Sequence, residues 1–147
     1  MITLAFALAI QLQSAGEAVV AITPDDPETW VVEYPVVISP YVDDYYNCLK
    51  SGGHVVDGNT FFEEQHRRDI PRCSEIKAEG VKQSQATLER LGRTREFGPT
   101  QVTMTFDTID TIHIARARDL DGHLRMGVQT RRFYDELEAK AAEDAEL

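Results

Sequence analysis

The distribution of proline is the feature that most limits how this chain can fold. Four of its six prolines, Pro24, Pro27, Pro35 and Pro40, lie in the stretch 24–40. Proline has no N–H to donate and its ring clashes with the preceding turn, so it excludes a regular helix interior. We therefore predict a Pro-rich extended arm over residues 19–39, anchored by Trp30, that lies against a helical body over residues 40–126.

The first helix of that body is predicted over residues 40–50. Ser39 is a typical capping residue, and a proline in the first turn loses no helical hydrogen bond. The apolar residues that follow repeat at intervals of three and four, which places them on one face. They are Tyr41, Tyr45, Cys48 and Leu49. Gly52 and Gly53 then end the helix.

Residues 61–91 are predicted to form either one interrupted helix or two helices. Thr60 and Glu63 have the spacing of a capping box at the start of this region. Pro71 interrupts it or restarts it, and Gly92 is a natural helix end. Gly80 lies on the apolar stripe, where the absence of a side chain either lets another helix approach closely or is merely tolerated.

Residues 100–126 are ambiguous between strand and helix. Three apolar residues alternate as in a strand, and several threonines favour that structure. A larger set shares one narrow sector at helical spacing. Its members are Val102, Phe106, Ile109, His113, Ala117, Leu120 and Leu124. The larger set predicts a helix that begins near Gly98 and Pro99 and bends or ends at Gly122, followed by an acidic tail over 127–147 that is helical or frayed.

The N-terminus has the pattern of a secretion signal. Residues 2–10 are an apolar stretch as long as a signal-peptide core, and small residues that a peptidase accepts follow at Gly16 and Ala18. Only the α-amino group supplies positive charge ahead of that stretch, which is less than most signals carry. We expect residues 1–18 to be a signal peptide, an extracytoplasmic (periplasmic or secreted) location, and no transmembrane helix in the mature chain. The alternative is an uncleaved N-terminal helix in a cytoplasmic protein.

Cys48 and Cys73 can be explained in two ways. In an oxidising compartment an even pair is usually a disulfide, which here would link the first helix to the middle of the chain. If reduced, the two thiolates and the intervening His54 and His66 would form a C-x5-H-x11-H-x6-C set of zinc-type ligands. That spacing lacks the close pair of a zinc motif, so we predict the disulfide and no metal. The fold prediction is a mainly α-helical small domain of three to four helices with one disulfide.

Other chemistry has little support in the sequence. His113 lies on the apolar stripe between Asp110 and Arg116, but no nucleophile accompanies it, and such a histidine is usually a hydrogen-bonded core residue. The stretch 119–123 departs from a calcium loop because Gly122 stands at its fourth position instead of its sixth. No nucleotide-binding or hydrolase motif is present. We therefore expect no catalytic residue and no cofactor.

Charge narrows the choice of partners. The chain of 147 residues has a formal net charge of −10, which opposes binding to nucleic acid or to anionic lipid. The functional hypothesis is a small exported, non-enzymatic protein that binds another protein or associates with the cell envelope. Its candidate binding surface is an exposed apolar patch near Trp30, Tyr45 and Tyr46. The alternatives are a metal-binding protein or metalloenzyme built on His54 and His66, with His113 as a further candidate, and a cytosolic interaction protein.

Overall fold

A computed structural model describes residues 22–56 and 61–145, without the side chains of 141–145. The described residues form four α-helices: α1 (Ser39–Lys50), α2 (Phe62–Arg72), α3 (Ser74–Arg90) and α4 (Pro99–Ala145). The part of the chain described contains no β-strand, so the mainly α-helical prediction is confirmed and residues 101–115 are helical. The predicted signal peptide, residues 1–18, lies outside the described residues.

The arm consists of turns and extended segments over residues 22–38. Two short 3₁₀ turns occupy Pro27–Thr29 and Val36–Ile38. The side chain of Trp30 donates its indole N–H to the carbonyl of Thr23 over 3.1 Å, which closes the first of these bends. Ile38 is fully buried, and Val32 and Tyr34 pack against the same core. The arm therefore contributes its C-terminal half to the hydrophobic core.

The core lies where α1, α3 and α4 meet. It consists of side chains from each helix and from the end of the arm: Ile38, Val42, Tyr45, Leu49, Cys73, Leu88, Val102, Phe106 and Ile109. Tyr45 is completely buried, packs its ring 5.7 Å from that of Phe106, and donates its hydroxyl to Asp110. Burial, followed by the contact with Asp110, raises the pKa of Tyr45 well above its usual range.

The start of α1 differs from the predicted cap, and the start of α2 has an additional contact from α4. Ser39 is the first residue of α1, and its hydroxyl donates to the Val36 carbonyl over 2.8 Å instead of capping the helix. Thr60 lies outside the described residues. The backbone N–H groups of Phe62 and Glu63 donate to the carboxylate of Asp121 on α4, over 2.8 and 3.0 Å. A carboxylate at a helix N-terminus satisfies free donors and favours the helix dipole, so α4 caps α2 from outside.

The helix ends were predicted with mixed success. α3 ends as predicted at Gly92, which has a φ of +67°. α2 runs through Pro71 to Arg72, and the chain restarts as α3 after Cys73. α4 does not end at Gly122, because it continues through this residue as one helix of 47 residues. A helical glycine costs only about 1 kcal/mol, and strong helix formers on both sides outweigh that cost.

Of the two explanations for Gly80, the structure supports close approach of neighbouring helices. A Cβ atom built there would lie 2.9 Å from Cε1 and 3.0 Å from Cζ of Phe106, and 3.3 Å from the carbonyl oxygen of Tyr41. Gly80 belongs to α3, whereas Tyr41 and Phe106 belong to α1 and α4. The residue is therefore the point at which three helices meet with no room for a methyl group.

Gly80→Ala should lower the free energy of unfolding by about 1–3 kcal/mol, because overpacking forces the Phe106 ring or the α1 backbone to move. The matched control is Gly122→Ala, at a helical site with nothing within 4 Å of the added atom. This variant should be as stable as the parent or up to about 1 kcal/mol more stable. Urea unfolding of the two variants measures both effects. A Gly80→Ala protein more stable than the parent would show that the three helices are less tightly packed.

The predicted disulfide is confirmed. Cys48 near the end of α1 is bonded to Cys73 between α2 and α3, with an S–S distance of 2.03 Å and a Cα–Cα distance of 5.9 Å. The bond joins two residues that are 25 positions apart, and the loop that it closes contains the glycines that end α1. It holds the ends of three helices together at one side of the core.

Candidate functional site

Three of the four histidines come together beside the disulfide. His54 follows α1, His66 lies on α2 and His113 lies on α4. The ring of His66 is stacked between the other two, with centroids 4.3 Å from His54 and 4.1 Å from His113. His66 and His113 are each only 8% exposed. We call these three residues and Asp69 the histidine cluster.

Asp69 holds the cluster together from α2, three residues after His66. Its Oδ2 accepts hydrogen bonds from Nε2 of His54 over 2.8 Å and from Nε2 of His113 over 3.0 Å. The Nδ1–H of His66 donates to the backbone carbonyl of His113 over 2.9 Å. Each ring therefore has one N–H fixed by a carboxylate or a carbonyl, which sets its orientation.

Arg72 connects the cluster to the disulfide. One guanidinium nitrogen lies 3.0 Å from Oδ1 of Asp69 and 2.7 Å from the carbonyl oxygen of Cys48, and the other lies 3.2 Å from the hydroxyl of Ser51. Arg72 and Asp69 were not identified from the sequence. The available signal was their spacing of three on an amphipathic helix, which places them on one face with His66.

The titration of the cluster follows from its burial. Burial lowers the pKa of His66 and of His113, and it outweighs the opposing attraction of Asp69. Burial by itself raises the pKa of Asp69. The hydrogen bonds from His113, His54 and Arg72 together lower this pKa by more than burial raises it, so the pKa lies below its usual value. At neutral pH the cluster thus contains an ionised Asp69 and neutral His66 and His113 rings.

Stability should fall as the pH drops from about 7 to 5. In the unfolded chain a histidine titrates near pH 6.5. The folded pKa values of His66 and His113 are depressed, so their stabilising contribution is present above pH 6.5 and is lost as the pH falls through the folded values. Urea unfolding as a function of pH measures this loss.

The double variant His66→Asn and His113→Gln is designed to keep a donor near each fixed N–H while removing the titration. It should unfold with a smaller dependence on pH between 5 and 7. His123→Gln is the control, because that histidine is 65% exposed on α4. A double variant with the parent's pH dependence would assign the titration to other groups.

The four-ligand zinc hypothesis is wrong. Both thiolates that it requires are consumed in the Cys48–Cys73 disulfide. His54 and His66 are stacked face to face, with Nε2 of His54 and Nδ1 of His66 directed at Asp69 and at the His113 carbonyl. Among the residues whose placement is described, no group of three or more histidine, cysteine or carboxylate side chains is arranged to hold a metal ion.

The candidate binding surface near Trp30, Tyr45 and Tyr46 needs correction. Tyr45 is fully buried, since its helical period places it with Val42 and Leu49 on the core face of α1. Tyr46 is half-buried against the core, with the ammonium of Lys50 5.6 Å from its ring centroid. Trp30 is also half-buried and lines a shallow cleft of about 330 Å³ with part of α4. These residues do not form one exposed apolar patch.

A different exposed surface lies on α4. Every residue from 123 to 140, which we call the exposed segment, is exposed. Exposed residues point in all directions around the helix in this segment, and only its start, at His123 and Met126, lines the cleft with Trp30. Six large apolar side chains are between 47% and 59% exposed: Leu124, Met126, Val128, Phe133, Tyr134 and Leu137. No helix in the described part of the chain has the length and apolar content needed to cross a membrane.

Comparison of the chain with protein-family models, with curated proteins and with solved structures finds no match. A functional proposal therefore depends on the geometry described above.

Proposed function

We propose that this protein is a small exported helical module that acts by binding another protein, with the exposed segment of α4 as its binding surface. The observation that carries this proposal is the exposure of six large apolar side chains on one continuous helix. Four of the six, Met126, Phe133, Tyr134 and Leu137, lie on one side of the helix, and exposed apolar patches on soluble proteins often mark binding sites.

The energetics of an isolated helix support the same proposal. A helical stretch of this length is marginal in water when it lacks tertiary packing, because most helical stability in proteins comes from burying an apolar face. Burying one large apolar side chain contributes roughly 1.5–3 kcal/mol. A partner that covered several of the six side chains would therefore stabilise both the helix and the complex.

Export is supported by two sequence features and one structural one. Residues 2–10 and the small residues that follow have the pattern of a cleaved signal. The Cys48–Cys73 disulfide is compatible with an oxidising compartment. Expression with the native N-terminus should yield a mature chain lacking about the first eighteen residues, with thiols that are alkylated only after reduction. A full-length chain whose two thiols react at once would favour the cytosolic alternative.

Binding can be tested by photo-cross-linking in the producing cell. A photoreactive residue at Phe133, which is 58% exposed in the exposed segment, should yield a discrete cross-linked product of higher mass. The matched control is the same residue at Met104, which is 43% exposed on the part of α4 that packs on the body. Equal products from both positions, or none from Phe133, would count against α4 as the binding surface.

A further inference from the structure

We propose, on the basis of the function proposed above, that the partner of the exposed segment is the same segment of a second copy of this chain, paired with it in antiparallel orientation.

The spacing of exposed side chains provides the first argument. Met126, Thr130, Phe133 and Leu137 follow one another at intervals of four, three and four, which forms a straight row along a helix. Leu124 and Val128 lie off this row. The intervals read the same in both directions, so two copies related by a twofold axis can align all four positions. Met126 then lies opposite Leu137 of the partner subunit, and Thr130 lies opposite Phe133 of the partner subunit.

A twofold arrangement of this kind uses the same surface on both subunits, as most homodimers do. In this register residues 141–145 at the end of each α4 lie opposite residues 118–122 of the other copy, beyond the four aligned positions.

The charge distribution selects antiparallel over parallel pairing. From 122 to 134 the helix contains three arginines and no acidic residue, whereas from 135 to 140 it contains three acidic residues and one lysine. A parallel pair would align basic with basic and acidic with acidic stretches, which is unfavourable. An antiparallel pair brings the acidic stretch of each copy beside Arg125 of the other. Arg131 and Arg132 follow Thr130 directly and so lie off the apolar row.

Sedimentation velocity of the disulfide-bonded chain over a range of concentrations tests self-association. The parent should convert from monomer to dimer as its concentration rises. Phe133→Glu should weaken the association constant by more than about tenfold, since a central aromatic contact is lost and a charge is introduced. Met104→Glu introduces the same charged residue on the same helix but outside the exposed segment, and this variant should associate as the parent does. Far-ultraviolet circular dichroism shows whether each variant is folded.

Orientation is tested with single cysteines and a short thiol cross-linker. A mixture of Met126→Cys and Leu137→Cys chains should cross-link to each other, and neither variant alone should form a cross-linked dimer. Cross-linking of Met126→Cys to itself would indicate parallel pairing and overturn the proposed orientation.

The outcomes separate this inference from the function on which it rests. A chain that stays monomeric at all concentrations, but is photo-cross-linked through Phe133 to a different protein, overturns self-pairing and leaves the binding function in place. A monomer with no cross-linked product contradicts both. A dimer that Phe133→Glu leaves intact also overturns the inference, because the contact would then lie on another surface.

Discussion

Asp69→Ala should lower the free energy of unfolding by about 1–3 kcal/mol for each buried donor that is left without its acceptor. Asp69 is 4% exposed and receives hydrogen bonds from His54, His113 and Arg72. Its removal leaves the imidazole N–H groups of His54 and His113 without their acceptor and takes away one of the acceptors of Arg72. Since small domains are stable by only about 5–15 kcal/mol, this variant should be close to unfolding at moderate temperature.

The control for this measurement is Glu75→Ala, an exposed carboxylate near the start of α3. That variant should change the free energy of unfolding by less than about 0.5 kcal/mol. Urea unfolding followed by circular dichroism at pH 7 compares the two. If Asp69→Ala unfolds at the parent's urea concentration, the histidine cluster does not hold α2 and α4 together.

Removal of the disulfide should have the second large effect. The double variant Cys48→Ala and Cys73→Ala should lose about 3–4 kcal/mol, because the bond restricts a loop of this length in the unfolded chain. The parent protein unfolded in the presence of a reductant should show a similar loss. Its oxidised form should unfold at a clearly higher urea concentration. Equal unfolding midpoints for oxidised and reduced parent would show that the helices alone determine the stability.

Much of the helical framework could be predicted from local sequence. The period of apolar residues and the positions of Gly52 and Gly92 gave α1 and α3 nearly correct bounds, since helix starts and stops depend on neighbouring residues. The disulfide followed from the parity of the cysteines and the expected compartment. The burial of His113 followed from its place on an apolar stripe, although its contact with Asp69 did not.

The site depends on contacts between residues that are distant in sequence. Asp69 and His113 are separated by 44 positions and Phe62 and Asp121 by 59, and only the packing of α2 on α4 brings them together. The period of apolar residues identifies which face of each helix is buried. It does not identify which residues on the buried faces of two helices contact each other. Spacing offered His54 and His66, with His113 as a further candidate, but it did not identify Asp69, which binds two of the three rings.

Two errors have identifiable physical causes. Tyr45 was included in a surface patch, although its period with Val42 and Leu49 places it on the core face, where it is fully buried. Leu120 and Leu124 were assigned to the apolar stripe of α4, yet they are 46% and 47% exposed. Helical periodicity continues along α4 beyond the end of the body, so the pattern alone does not show where burial stops.

Amide hydrogen exchange along α4 tests most directly whether this helix is divided into a packed part and a binding part. In dilute solution, amides of residues 127–138 should exchange much faster than those of residues 102–117, because only the latter are held by tertiary packing. Exchange at 127–138 should slow when the protein is concentrated or its partner is added. Slow exchange along the whole of 102–138 in a dilute monomer would contradict the proposal, because α4 would then need no partner.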